Sequence, residues 1–225
     1  MLIYKIIVNI KTAVLGNKLT ALKNKMMMKT RNEWLIIAIS GVTCSGKTTL
    51  ANQLFDRISP VYIFNQDNYF YPDDSPKHVK CEGMDHNNYD VLSALDMEQM
   101  YDDIISTING IDKSHKSRVE FKDNDFRLCN KKFMVVEGFT VLNYKPLCQL
   151  SDMRFYLTLP LGECALRRSM RLYDPPDCFG YFDNVVWPQY LIYKKEIEKD
   201  PRIMMLEGTD YTALDIVMQK IRAFK

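Results

Sequence analysis

Several things are scarce in this chain, and each scarcity removes a class of function. The six cysteines, Cys44, Cys81, Cys129, Cys148, Cys164 and Cys178, contain no C-x-x-C pair. That argues against a zinc site or a disulfide framework and favours free thiols in a reducing compartment. The three histidines, His78, His86 and His115, lack metal-ligand spacing and read as surface loop residues. A formal net charge of +2 is too small to mark a nucleic-acid or membrane surface. The guanine-reading N-K-x-D of a GTPase switch is missing, and no internal repeat is visible. Acid is missing from residues 1–32, which carry Lys5, Lys11, Lys18, Lys23, Lys25, Lys29 and Arg31. A mitochondrial presequence is basic and acid-poor but also rich in arginine and serine; this stretch has one arginine and no serine. Lysine interrupts its apolar residues too often for a membrane span of about 20 residues. The favoured reading is a weakly structured basic extension on a cytoplasmic protein, with mitochondrial targeting as the lesser one.

What remains has an ordinary globular composition, 47% hydrophobic and 26% charged. Residues 33–225 are enough for one α/β domain with a sizeable core and a small lid. That domain is organised around Leu35–Ala51. Leu35 to Ile39 are all apolar, too few for a helix, and read as a buried strand. Gly41, Gly46, Lys47 and Thr48 then fill the pattern G-x-x-x-x-G-K-[ST]. The loop Gly41, Val42, Thr43, Cys44, Ser45, Gly46 can wrap a phosphate chain with its backbone N–H groups pointing inward. Lys47 brings a mobile charge to the outer phosphates, Thr48 offers a hydroxyl to Mg²⁺, and Thr49 continues the helix. The N-terminus of that helix, expected over Thr48–Asp56, adds about half a positive charge. Strand before and helix after make a chance match a poor explanation.

Further strands are expected at Val61–Asn65, Phe133–Val136, Arg154–Leu159 and Ile203–Leu206. Helices are expected from Leu92, with Leu95, Met100, Ile104 and Ile108 on one face, and at about Glu163–Leu172 and Val185–Glu198. A last amphipathic helix carries Leu214, Val217, Ile221 and Phe224. Gln66–Asp90 is a long polar loop of the kind usually kept for function, and Ile111–Lys132 reads as a surface excursion. Strands alternating with helices predict a P-loop NTPase-like α/β fold: a parallel sheet of about five strands with helices on both faces. Ligands gather beyond the carboxyl ends of such strands, so Ser40 onward, Gln66-Asp67 and Glu137-Gly138 should share one cleft.

Asp67 at a strand tip can take the proton of an acceptor hydroxyl or hold water on Mg²⁺; the plainer reading is a turn-capping aspartate. Glu137 stands where phosphate-loop enzymes place a metal-side acid, against the alternative of a solvated strand end. Arg167, Arg168 and Arg171 precede Asp174-Pro175-Pro176. They are either a basic last turn worth about 0.3–1 kcal/mol to the helix or a lid that clamps phosphate oxygens. If the helix continues, Arg167 and Arg171 share a face and Arg168 points elsewhere. Tyr89 and Tyr173, each followed by an acid, lie by polar loops and can sandwich a flat base.

The set GVTCSGKTT, QDNYF, YDVLSAL, VVEGF, NYKPL, RRSMRLYDPPD, GYFDNVVWPQY and LEGT resembles the nicotinamide riboside kinases of the uridine-kinase-like group. The resemblance runs from about Leu35 to the C-terminus, and the lid sequence is its most specific part. It implies transfer of the ATP γ-phosphoryl group to the 5′-hydroxyl of nicotinamide riboside, giving nicotinamide mononucleotide for NAD synthesis, and extends to nicotinic acid riboside. It further implies Asp67 as general base near Mg²⁺, with Thr48 as the other metal-side ligand and Lys47 and Glu137 beside them. Tyr89 and Tyr173 become plates either side of the nicotinamide ring, which as a pyridinium cation gains about 0.5–2 kcal/mol from each face. Asp90 and Arg168 become ribose readers with Asp174 beside them, Arg167 and Arg171 lid contacts to ATP, and about Asp210–Thr212 the adenine edge. The lid is expected at about 167–184. The chain departs from the family at Asn68, where a second acid is common, and at Ile111–Arg127 and the N-terminal extension. The alternatives are a uridine or cytidine kinase and a nucleotide-bound scaffold without turnover; retention of Lys47 and Asp67 counts against the scaffold.

Overall fold

The computed structural model describes residues 30–58, 61–111, 117–120 and 131–224. All but the end of the basic extension, and His115, therefore lie outside the described residues. The elements in chain order are β1 (Trp34–Gly41), α1 (Lys47–Arg57), β2 (Val61–Asn65), α2 (Met97–Ile108), β3 (Ser117–Glu120), β4 (Lys132–Glu137) and α3 (Lys145–Leu150). There follow β5 (Met153–Thr158), α4 (Leu161–Ser169), α5 (Trp187–Ile197), β6 (Ile203–Glu207) and α6 (Ala213–Ala223). The sheet order is β3-β2-β4-β1-β5-β6. Five strands run parallel, as expected, and β3 pairs antiparallel with β2 on the outer edge.

β1 lies at the centre because all eight of its residues are buried, as a strand covered on both faces requires. Successive side chains alternate between faces. Trp34, Ile36 and Ala38 join one core with Met100 and Ile104 of α2, Leu147 of α3, Cys164 of α4 and Tyr190 of α5. Leu35, Ile37 and Ile39 join the other, with Leu50 and Leu54 of α1 and Val217 and Ile221 of α6. Each Leu, Ile, Val or Met among them contributes about 1.5–3 kcal/mol by leaving water. The strand tips are in step, since Ile39 and Asn65 both register with Glu137. That register brings three chain-distant segments to one edge.

Three boundaries differ from expectation. Helix α2 starts at Met97 rather than Leu92, because Asp96 caps it by accepting from the Gln99 N–H. Leu95 lies before the cap and bridges to Phe70. Helix α4 stops at Ser169, where the chain turns into the Tyr173-to-Pro176 stretch, so Arg171 is not on the helix with Arg167. The Ile111–Lys132 stretch is not only a surface excursion, since Ser117–Glu120 completes the edge of the sheet. Among the described residues, no helix is long and apolar enough to cross a membrane.

Candidate active site

The loop between β1 and α1 takes its shape from three residues with positive φ: Gly41 at 134°, Cys44 at 59° and Gly46 at 92°. A Cβ on Gly41 would collide with the Leu157 backbone of β5, to which Val42 donates its N–H at 3.1 Å. Ser45 Oγ ties the loop across itself by donating to the Val42 carbonyl at 2.7 Å. Alternation of hand along the loop turns successive N–H groups inward, the anion nest expected there. No acid occupies the first turn of α1, so its positive end is left for a ligand. Lys47 Nζ donates to the Val42 carbonyl at 2.8 Å. Burial lowers the Lys47 pKa, while Glu137 and Asp67 pull the other way.

Glu137, 2% exposed, accepts from Thr48 Oγ1 at 2.9 Å. Burial raises its pKa against the opposing pull of Lys47, and Asp67 raises it further. Asp67 is the second residue of a short 3₁₀ turn, Gln66–Tyr69, and donates its N–H to Asn65 Oδ1 at 2.7 Å. Asp67 itself lines the cleft. The turn is held from below by a residue that sequence reasoning passed over. Gln66, fully buried, donates to Thr140 Oγ1 at 2.8 Å and accepts from the Thr140 N–H at 3.1 Å. Gly138 must be glycine here, since a Cβ would strike the Gln66 side chain.

On the opposite wall the three arginines part company. Arg167 donates to Glu163 at 2.6 Å and to the carbonyls of Cys44 and Gly208, each at 3.3 Å. It thus fastens α4 to the phosphate loop and to the end of β6. Arg168, 8% exposed, forks onto Asp177 at 2.6 and 2.9 Å and reaches Thr43 Oγ1 at 3.2 Å. Its guanidinium lies 4.3 Å from the Tyr173 ring centre and 4.0 Å from the Asp90 carboxylate. Burial works against that charge, but Asp177 and Asp90 hold it firmly protonated. Asp90 accepts from the Tyr181 hydroxyl at 2.9 Å, and burial raises its pKa against the pull of Arg168. Arg171 lies 5.2 Å from the Tyr173 ring. Tyr173 reaches Thr43 Oγ1 at 3.2 Å, and burial pushes its hydroxyl up to about 12.

Thr43, Cys44, Lys47, Thr48, Asp67, Tyr89, Asp90, Glu137, Arg168, Arg171, Tyr173 and Asp174, all singled out from sequence, line one cleft of about 470 Å³. Gly41, Val42, Ser45, Gly46 and Thr49 form the loop and helix start beneath it, and Arg167 stands outside the lining. Sequence reasoning missed Asp177, Tyr181, Asp73 and Phe139, which also line it. The GYFD motif contained Tyr181, but nothing local marked its role: its hydroxyl meets Tyr89 and Asp90, 92 and 91 positions away. His86 corrects the surface reading. It is 8% exposed, packs 4.5 Å from Tyr181, and has Nε2 3.2 Å from the Pro176 carbonyl.

Thr48, Asp67 and Glu137 offer a hydroxyl and carboxylates, the hard oxygen donors that suit Mg²⁺. Among the described residues no three His, Cys, Asp or Glu side chains converge as a closed metal cage.

No protein-family model matches the chain. Human nicotinamide riboside kinase 1 is 39% identical over 175 residues, covering 77% of this chain and 84% of the relative. Human nicotinamide riboside kinase 2 is 36% identical over 178 residues, covering 77% and 74%. A uridine kinase from Clostridium perfringens is more distant, 26% identical with 84% and 95% covered. Two relatives above one-third identity over most of both chains decide the matter: the chain belongs to the nicotinamide riboside kinase family.

Proposed function

We propose that this chain transfers the γ-phosphoryl group of ATP to the 5′-hydroxyl of nicotinamide riboside. One observation carries the reading. A phosphate nest with Lys47 and Thr48, two carboxylates at Asp67 and Glu137, and two aromatic rings at Tyr89 and Tyr173 share a single cleft. The ATP phosphates lie on the Gly41–Gly46 backbone, with Lys47 released from the Val42 carbonyl to the outer oxygens. Thr48, Asp67 and Glu137 would hold Mg²⁺, which would supply charge neutralisation on the transferring group. Asp67 takes the proton of the acceptor hydroxyl. The cap of its turn is supplied by Asn65 Oδ1 and Asp67 lines the cleft, which supports a role for its carboxylate there rather than as a cap. Tyr89 and Tyr173 flank the pyridinium, and Asp90 with Arg168 reads the ribose hydroxyls. The lid residues 167–184 close over the site, excluding water and suppressing simple ATP hydrolysis. Residues 33–225 form the kinase unit, with the basic extension outside it.

Tyr173 already holds a cation on its ring, the Arg168 guanidinium, which supports its suitability as a cation-binding plate. The test is ADP release measured with nicotinamide riboside, with uridine and with no acceptor. Turnover with the riboside well above the other two is expected. Turnover with uridine alone would make the chain a uridine kinase, and none with any acceptor would make it a scaffold.

A further inference from the structure

Tyr181 is 1% exposed, and its ring packs with Cys81 and Val186 and lies 4.5 Å from the His86 ring. A phenylalanine would fill that place equally well, and a buried hydroxyl costs free energy unless it is bonded. This hydroxyl is bonded twice, to two adjacent residues of the Gln66–Asp90 loop. It accepts from the Tyr89 N–H at 3.0 Å and donates to Asp90 Oδ2 at 2.9 Å. Burial, and then Asp90, hold the phenol protonated, so it remains a donor. Arg168 also approaches Asp90 at Oδ2, at 4.0 Å, and Oδ1 is thereby left for a ligand. The charges around Asp90 are of both signs. Arg168 and Lys47 favour its ionised form and Asp177 opposes it, while the Cys81 thiol and the Tyr193 phenol also feel its field. Further along the cleft, Asp67, Glu137 and Arg171 surround Lys47, and Asp73, Asp174, His78 and His86 stand by Tyr89.

Resting on the kinase reading above, we propose that Tyr181 is a positioning residue for the riboside: its one hydroxyl fixes the Tyr89 plate and the Asp90 ribose reader relative to each other. It acts through those two residues. Neither of its bonds goes to the Gly41–Gly46 loop, so ATP binding does not depend on it. Asp90 must be ionised to accept from ribose hydroxyls. Burial raises its pKa, and Arg168 first, then the Tyr181 hydroxyl, hold it down. Removing the hydroxyl therefore frees the backbone of Tyr89 and lets Asp90 take up a proton at higher pH.

The experiment measures kcat and the KM values for nicotinamide riboside and ATP in wild type and Tyr181→Phe, which keeps the ring. At about pH 8 the variant should raise the riboside KM about tenfold, as loss of a hydrogen bond to a charged group does. The KM for ATP should stay within about twofold and kcat within about threefold. The wild-type-to-variant ratio of kcat/KM for the riboside should widen as pH falls to about 6, because Asp90 gains its proton earlier in the variant; protonation of Asp67 affects both proteins alike and cancels. In an Asp90→Asn background Tyr181→Phe should cost only about threefold or less, since the pair is coupled. Riboside and ATP KM values that rise together, a ratio that does not change with pH, or the full tenfold loss in the Asp90→Asn background overturns the inference and leaves the kinase reading intact. A crystal structure of the wild-type chain with nicotinamide riboside decides the matter even if Tyr181→Phe does not fold. The Tyr181 oxygen should lie within about 3.2 Å of both the Tyr89 nitrogen and an Asp90 oxygen while Asp90 meets the ribose; a hydroxyl parted from either overturns the inference. A wild-type chain that does not turn over the riboside removes the kinase reading as well.

Discussion

Arg168 offers the sharpest test of how the lid is built, because its charge is buried and its partners are known. Replacing it with methionine keeps much of the volume but strands two acids, Asp177, which loses bonds at 2.6 and 2.9 Å, and Asp90, 4.0 Å away. Breaking a fully buried ion pair costs about 3–5 kcal/mol. Asp177 keeps 26% of its side-chain surface in water, so the loss should be nearer about 2–4 kcal/mol. In a domain of this size that lowers Tm by about 5–15 °C. The deficit should also depend on pH. Burial already raises the Asp90 pKa in the folded chain, and Arg168 is the largest influence holding it down. Without the guanidinium the folded state binds the Asp90 proton more readily than the unfolded state does. The variant therefore recovers stability as pH falls from the folded Asp90 value towards the unfolded carboxylate value of about 3.9. Urea unfolding of wild type and Arg168→Met at several pH values between about 8 and 5 measures both effects. A loss below about 1 kcal/mol, or a deficit that does not change with pH, would refute this account of the lid.

Three further outcomes are expected. Asp67→Ala should lower kcat by about 10²–10⁴ with little change in the KM for ATP, and a loss below about tenfold would count against its role as base. Tyr173→Ala should raise the KM for the riboside well above its effect on ATP; equal effects would make Tyr173 a lid hinge instead. Gly138→Ala should drive a methyl group into Gln66, costing about 1–3 kcal/mol and displacing the Asp67 turn. Urea unfolding and kcat should both register it, and an unaltered kcat would separate Gln66 from the positioning of Asp67.

Much of the fold was legible because a parallel sheet covered on both faces writes itself as unbroken apolar runs. Leu35–Ile39 and Phe133–Val136 could be little else, and the glycines at 41 and 46 announced the loop between strand and helix. The β3 edge was not legible: Ser117–Glu120 is held by backbone pairing to β2, which leaves little mark on side-chain pattern. The end of α4 was equally hidden, since Arg171, Leu172 and Tyr173 are all tolerable in a helix. Of the cleft, the residues in loop or strand-tip motifs were found, while the Arg168–Asp177 fork and the Tyr181–Asp90 bond were not. Their partners are fixed by tertiary packing, with no periodicity to betray them. His86 shows the same limit, because a polar neighbourhood in sequence did not foretell its burial between Tyr89 and Tyr181.

The central claim is that one carboxylate, Asp67, meets the acceptor hydroxyl beside the phosphate nest. The most direct measurement is a crystal structure with nicotinamide riboside and a non-hydrolysable ATP analogue bound together. The account predicts the 5′-hydroxyl within about 2.6–3.2 Å of an Asp67 carboxylate oxygen, or one water away, and aimed at the γ-phosphorus. A hydroxyl held by another group, with Asp67 turned out of the cleft, would contradict it.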